Sequence, residues 1–187
     1  QGGSIDISYL PMTSVDNTGG DGKSDLSFTG WLVNEVTSDN GVPGPHNVQG
    51  TTTYAYKNGL YDPQEKEFRG FQEVRETRPD TSIKDTLFFQ DKNRKGLIKE
   101  VILQNSVFNY FARQVFNYDV IEAISTVVLL HETVDETYDG ITNNPRTTKT
   151  IYNYDDFGNI IKKQFEGDTA IEGDETTEVI SYSINEQ

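Results

Sequence analysis

The sequence contains no cysteine, and it has only one methionine, one tryptophan and two histidines. The absence of cysteine excludes disulfide scaffolds and thiolate metal sites. A secreted protein can do without disulfides when its core is large enough, so this absence leaves the compartment open. A single methionine and few alanines argue against a helix-rich protein.

Cationic side chains are also scarce, because 16 Lys and Arg stand against 30 Asp and Glu, a net charge of −14. Nucleic acids and anionic membranes need a cationic surface, so neither partner is expected. No apolar run approaches the roughly 18 residues of a membrane span. The stretch from Gln1 to Ser4 has no basic region followed by an apolar one, so we expect no signal peptide here and a fragment of a longer protein.

The sequence is rich in residues that favour β-sheets, with ten Tyr, ten Phe and many Val, Ile and Thr. Short alternating runs separated by turn residues predict about ten or eleven strands. We expect an all-β fold, an extended and curved antiparallel sheet of hairpins, with a β-sandwich as the alternative. Residues 1–187 are expected to form a single β-rich unit of a larger protein, with a flexible loop at 13–27.

Two local patterns give sharper structural predictions. Asn58 and Gly59 follow the alternating run 51–57, and this pair predicts a tight hairpin turn. The run 124–134 is the one segment that a helix could also adopt. Its β-branched start and the lack of a helix cap favour a strand.

Two stretches carry motifs that are more specific than a strand pattern. The first has a Tyr-Asp-Pro turn followed by a Phe-Arg-Gly-Phe run, and the second has two alternate tyrosines before an aspartate and a Gly-Asn pair. The residues are Tyr61, Asp62, Pro63, Phe68, Arg69, Gly70 and Phe71 in the first motif, and Tyr152, Tyr154, Asp155, Gly158 and Asn159 in the second.

The first motif resembles the YYD-x-x-x-REFRGF stretch of the B components of bacterial insecticidal toxin complexes, the TcdB/SpvB-like proteins associated with RHS repeats. Lys66 replaces the usual arginine, and Val74 matches the valine after the motif. The second motif is similar to one YD repeat of RHS proteins. With the order of the predicted strands, the resemblance covers most of the chain.

The resemblance implies a structural role in a toxin assembly. In that family a B component joins a C component to form a hollow β-sheet shell around a toxic cargo. A propeller elsewhere in the B chain docks on the translocation pore, and the cleavage site that frees the cargo lies in the partner. No docking or cleavage residue falls on this sequence, so this segment is expected to be wall, in a secreted bacterial virulence protein.

The motif residues themselves fit structural roles. Gly70 predicts a bulge or a close backbone approach, and Arg69 could pair with Glu65, Glu67 or Asp62. In the second motif Asp155 is expected to begin a hairpin turn by accepting backbone N–H bonds. Gly158 and Asn159 would tolerate the positive φ of a tight reversal.

Candidates for chemistry are few. Asn17, Asp21 and Asp25 faintly resemble a calcium loop, but the alternation of ligands and the final glutamate are missing. The two histidines, His46 and His131, belong to no zinc motif. No phosphate-binding loop and no nucleophile elbow is present. We therefore expect no enzyme and no cofactor.

Two non-enzymatic functions remain in view at this point, and a third possibility, a hydrolase, would need clustered carboxylates with at least one strongly raised pKa. The first is a shell segment whose partners are other RHS/YD segments of the same protein and a C-type toxin component. It predicts a wide exposed apolar face, through which the isolated fragment could form a homodimer. The alternative is an adhesion or carbohydrate-binding β-sandwich, which predicts a shallow groove lined by tyrosines or Trp31.

Overall fold

The computed structural model describes residues 2–18, 24–122, 125–139 and 143–183. This part of the chain holds eleven β-strands and two one-turn 3₁₀ helices, Met12–Ser14 and Gly44–His46. It holds no helix that is long and apolar enough to cross a membrane. The predicted all-β class and number of strands are confirmed, and the run at 124–134 falls largely in a strand.

The chain divides into two compact units, Gln1–Asn109 and Tyr110–Gln187. In the first unit each strand pairs antiparallel with the next one along the chain. Its strands are β1 (Ser4–Pro11), β2 (Trp31–Asp39), β3 (Gln49–Asp62), β4 (Glu67–Thr77), β5 (Ile83–Phe88) and β6 (Ile98–Gln104).

The second unit repeats this arrangement, with antiparallel pairs in chain order. Its strands are β7 (Tyr110–Glu122), β8 (Thr126–Thr137), β9 (Arg146–Tyr154), β10 (Ile160–Asp168) and β11 (Thr176–Val179). In neither unit do the described strands form a second sheet that faces the first. The sandwich alternative therefore finds no support in the described residues.

A sheet without a facing layer leaves little buried volume. Among the described residues the buried apolar side chains are Met12, Phe71 and Ile83. Many large apolar side chains remain exposed, as the shell interpretation predicted. Because so small a core cannot fix the positions of the strands alone, turns and cross-strand polar pairs must set much of the strand register.

Residues between β1 and β2 contact β3 and β4 in the first unit. Tyr61 in β3 donates its N–H to the carbonyl of Asp25 at 2.9 Å. The ring of Phe28 packs edge-on against Tyr61 and Phe68, with centroids 5.7 and 5.2 Å away. The described parts of the predicted 13–27 loop, 13–18 and 24–27, therefore include backbone hydrogen bonds to β3.

The hairpin predicted at Asn58 and Gly59 is wrong, because β3 runs through both residues to Asp62. Asn58 does adopt a positive φ of 53°, but its N–H turns toward the carbonyl of Asp16 at 2.8 Å. Leu60 and Tyr61 continue the strand pattern beyond the pair, and the turn comes at the next proline, Pro63. The left-handed residue thus joins the loop to β3 instead of reversing the chain.

Gly59 is required at its position for space rather than for φ. A Cβ there would lie 2.6 Å from Asn17 Oδ1 and 2.8 Å from Phe71 Cε1. We expect Gly59→Ala to lower the free energy of unfolding of the first unit by about 2 kcal/mol, through overpacking. Urea denaturation followed by the NMR intensities of β3 and β4 amides measures this loss.

Gly70 is the matched control, because a Cβ there meets nothing within 4 Å, although its φ is +85°. Gly70→Ala should cost about 1 kcal/mol, from backbone strain alone. Equal losses for the two variants would contradict the packing described at Gly59.

Candidate functional site

The first motif forms the turn between β3 and β4. Asp62 begins it, and its Oδ1 accepts the N–H groups of Gln64 at 2.8 Å and Glu65 at 3.1 Å. These bonds, first that from Glu65, hold the pKa of the Asp62 carboxyl below its usual value. Pro63 follows Asp62 in the turn, and Lys66 closes it with a φ of 56°. The motif therefore encodes a chain reversal.

Arg69 fastens this turn to a second one. Of its three predicted partners it pairs with Asp62, and its Nη1 donates to the carbonyl of Gln90 at 3.1 Å. The Gln90 side chain donates in return to the carbonyls of Asn58 at 2.7 Å and Gly70 at 2.9 Å. The arginine thus ties the β3–β4 corner to the turn after β5.

Gly70 sits at a β-bulge, as predicted. The pairing of β3 with β4 shifts between Gly59 opposite Phe71 and Tyr61 opposite Phe68. The extra residue on β4 needs the positive φ of 85° that glycine supplies. The bulge lets both phenylalanines of the motif reach the same cluster, with ring centroids 5.7 Å apart.

The second motif forms the β9–β10 turn. Asp155 Oδ1 accepts the N–H groups of Phe157 and Asn159, each at 2.9 Å, and the predicted role of Asp155 is confirmed. Only Gly158 has the expected positive φ, at 84°. Asn159 contributes differently, because its side chain donates to Asp155 Oδ2 at 3.0 Å.

The tyrosines of the second motif lie in β9, two residues apart. Tyr152 pairs with Lys163 of β10. The Tyr154 hydroxyl donates to the carbonyl of Leu130 in β8 at 2.7 Å, and its partial burial raises its pKa. Both tyrosines thus belong to the sheet, and Tyr154 also forms a hydrogen bond to the neighbouring strand β8.

Residues 105–109 form a second copy of the same turn, which sequence reasoning missed. Asn105 Oδ1 accepts the N–H groups of Val107 at 3.0 Å and Asn109 at 2.9 Å. The backbone hydrogen bonds also match. In both turns the first residue donates its N–H to the carbonyl of the fifth at 3.0 Å, Asn105 to Asn109 and Asp155 to Asn159. Phe108 takes the glycine position, with a φ of 64°. The sequence signal that would have predicted this turn is an Asn or Asp four residues before an Asn.

A buried polar cluster in the first unit was also missed. Arg75 Nε and Nη2 donate to the two carboxyl oxygens of Asp85 at 2.7 and 2.8 Å, and Gln104 donates to Asp85 at 2.7 Å. Asp85 and Gln104 are buried. The Arg75 guanidinium lies 5.4 Å from the centre of the Phe108 ring. The partners come from β4, β5 and β6, so no local pattern in the sequence reveals them.

The calcium prediction is not supported by an assembled site. Asn17 is buried and donates to the carbonyls of Met12 and Val15, and its Oδ1 accepts the N–H of Gly59. Asp21 lies outside the described residues, and Asp25 contributes backbone hydrogen bonds. Within the described ranges no group of three or more His, Asp or Glu side chains could hold a metal ion. Asn17, Asp21 and Asp25 stay weak and untested calcium candidates.

Known proteins share the motif region. The family described as "Insecticide toxin TcdB middle/N-terminal region" matches residues 1–100. The chain belongs to this TcdB family. The match contains the whole first motif, so the Asp62–Arg69 corner and the Gly70 bulge lie inside the family region. A search of curated proteins found no match.

Solved structures of Tc toxins share the fold of this TcdB-family chain. The crystal structure of TcdB2–TccC3 superposes with a TM-score of 0.70 at 15% identity, and covers 88% of this chain and 12% of its own. The structure of the Photorhabdus luminescens Tc holotoxin pore superposes with a TM-score of 0.70 at 15% identity. This match covers 88% of this chain and 11% of the other. The chain thus spans about an eighth or less of the structures that it matches.

The matched turns give a pH prediction. Hydrogen bonds from the Asn159 side chain and backbone lower the pKa of Asp155. A pKa that folding lowers stabilises the turn above the unfolded pKa of about 3.9, and this contribution is lost as the pH falls through the folded pKa. Amide-exchange protection of Phe157 and Asn159 should therefore fall below about pH 4.

The 105–109 turn is the internal control, because Asn105 does not titrate. Protection of Val107 and Asn109 should stay constant over the same pH range, and Asp155→Asn should make the two turns alike. A parallel loss of protection in both turns would show that something other than the Asp155 carboxylate titrates.

The buried cluster gives a stability prediction. Asp85→Ala leaves Arg75 and Gln104 without their shared acceptor, and we expect a loss of about 3 kcal/mol in the free energy of unfolding. Gln104→Met keeps the ion pair and should cost about 1 kcal/mol. Urea denaturation followed by the NMR intensities of β5 amides measures the free energy of unfolding of both variants. Equal losses would mean that the Arg75–Asp85 ion pair is not the main stabilising interaction of the cluster.

Proposed function

We propose that this chain is a structural wall segment of a secreted, insecticidal Tc-type toxin shell that encloses a toxic cargo. The observation that carries the proposal is that, within each unit, the described strands pair in chain order without a facing sheet. Such a meander extends by adding hairpins, and each hairpin covers the edge of the one before. Membership of the TcdB family and the fold shared with TcdB2–TccC3 support it.

The exposed apolar side chains fit a wall that other protein covers. On one face of the β1–β2 ribbon, Ile5 is 69% exposed and Trp31 is 73% exposed. Ile7 and Tyr9 lie between them on the same face, because alternate residues of a strand share a face. A free-standing domain rarely leaves such a stripe uncovered.

The motif chemistry also fits a wall rather than a catalyst. Asp62, Arg69 and Asp155 are engaged in fixing turns, and the motif phenylalanines pack against each other. We therefore propose a non-enzymatic role without a cofactor. The proposed partners are other RHS/YD segments and a C-type component such as the TccC3 that accompanies TcdB2. Self-association of the isolated chain through the apolar stripe stays a prediction.

One observation favours a second candidate, carbohydrate binding. Tyr9 and Trp31 line a shallow concavity of about 470 Å³ on the β1–β2 ribbon. Exposed aromatic rings can stack on sugars. The nearest neighbours of the two rings on that face, Ile7 and Val33, are apolar and supply no side-chain hydrogen bonds to hydroxyl groups. Glycan-array binding that disappears in Trp31→Ala would favour this candidate.

A protease-protection experiment tests the shell. The polypeptide that carries this sequence is co-expressed with a C-type component that bears a cargo, and the complex is treated with protease. We expect a protected cargo and a stable complex. Replacing Ile7 and Tyr9 by lysine should expose the cargo or prevent assembly, because two charges would then lie in a covered apolar stripe.

The matched control is Lys84→Gln, a polar change in β5 of the same unit, which should leave protection intact. A cargo that is digested equally fast with and without this chain would overturn the wall function.

A further inference from the structure

The second unit carries most of the acidity of the protein. Residues 110–187 contain 15 Asp and Glu against 5 Lys and Arg, a net charge of −10 out of −14 for the whole chain. The first 109 residues, with 15 acidic and 11 basic side chains, are much closer to neutral. Any partner of the second unit therefore meets a strongly negative field.

An apolar groove opens in this same unit. It has a volume of about 490 Å³ and lies between the β9–β10 turn and the ends of β7 and β8. Its lining includes Ile121, Val127 and Leu129 from these strands and Phe157 from the turn. Phe157 is 82% exposed, so it forms a projecting wall of the groove.

The charged residues that line the groove are Asp155 and Asp156, and both are acidic. The Asp155 oxygens accept three hydrogen bonds within the turn, from two backbone N–H groups and the Asn159 side chain. Asp156 is exposed beside it. A ligand of this groove must therefore satisfy an apolar floor and an acidic rim together.

From this pairing we propose that the groove binds a polypeptide segment of another chain that presents an apolar side chain next to lysine or arginine. The apolar side chain fills the space between Val127, Leu129 and Phe157. The cation lies over the acidic rim, near Asp156. A second copy of this protein is disfavoured, because two surfaces with the same negative charge would repel each other. The inference deepens the proposed wall function by naming the chemistry of one contact.

Methyl NMR of the whole 187-residue chain tests the proposal with a short peptide that has one leucine between two lysines. We expect saturable shifts of the Ile121, Val127 and Leu129 methyl groups, with a Kd in the range of about 1 mM. A peptide with serine in place of leucine, and one with glutamates in place of lysines, should each bind at least about fivefold more weakly.

Three variants and a salt titration locate the site. Phe157→Ser removes the exposed wall and should weaken binding about fivefold, whereas Val107→Ser, at the same place in the matching turn, should change nothing. Raising the salt from about 0.05 to 0.3 M should weaken binding about threefold, through screening. Asp156→Asn should reduce that salt dependence.

The outcomes separate this proposal from the wall function. Equal binding of the acidic peptide would overturn the charge chemistry. Unsaturated shifts up to about 10 mM peptide, or unchanged binding in Phe157→Ser, would overturn the groove as a polypeptide site. The protease-protection experiment reads the assembled shell and can succeed or fail independently of this titration.

Discussion

Strand register is the constraint on which this structure depends. In a sheet with a facing layer, burial of one side sets the register, because a slip of one residue would turn the apolar side chains outward. Within each unit the described strands have no facing sheet, and few of the described side chains are buried. Register must therefore come from the turns and from polar pairs between strands.

Several turns fix the register through the same pattern of hydrogen bonds. An Asx oxygen at the start of the turn binds two backbone N–H groups, as at Asp62, Asn105 and Asp155. The Arg75–Asp85–Gln104 cluster adds a polar contact across three strands, where a slip would separate all three partners. The family motifs are thus best understood as encoding register, which a wall needs along its whole length.

The sequence predicted the strands because alternation and turn residues are local signals, and it predicted the functions of Asp155 and Gly70 for the same reason. It failed at Asn58 and Gly59, since a positive φ there serves a contact with Asp16 that lies far away along the chain. The Arg75–Asp85 pair and the groove beside Phe157 depend on which strands become neighbours. Composition and spacing do not contain that information.

The proposed wall function requires that both units of this segment form part of a closed toxin shell. Electron cryomicroscopy of the complete polypeptide with its C-type component tests it most directly. The claim predicts that β1 to β11 lie in the shell wall, with the Ile5, Ile7 and Tyr9 face covered by other protein. A segment that stands outside the shell as a separate domain, with that face open to solvent, would contradict it.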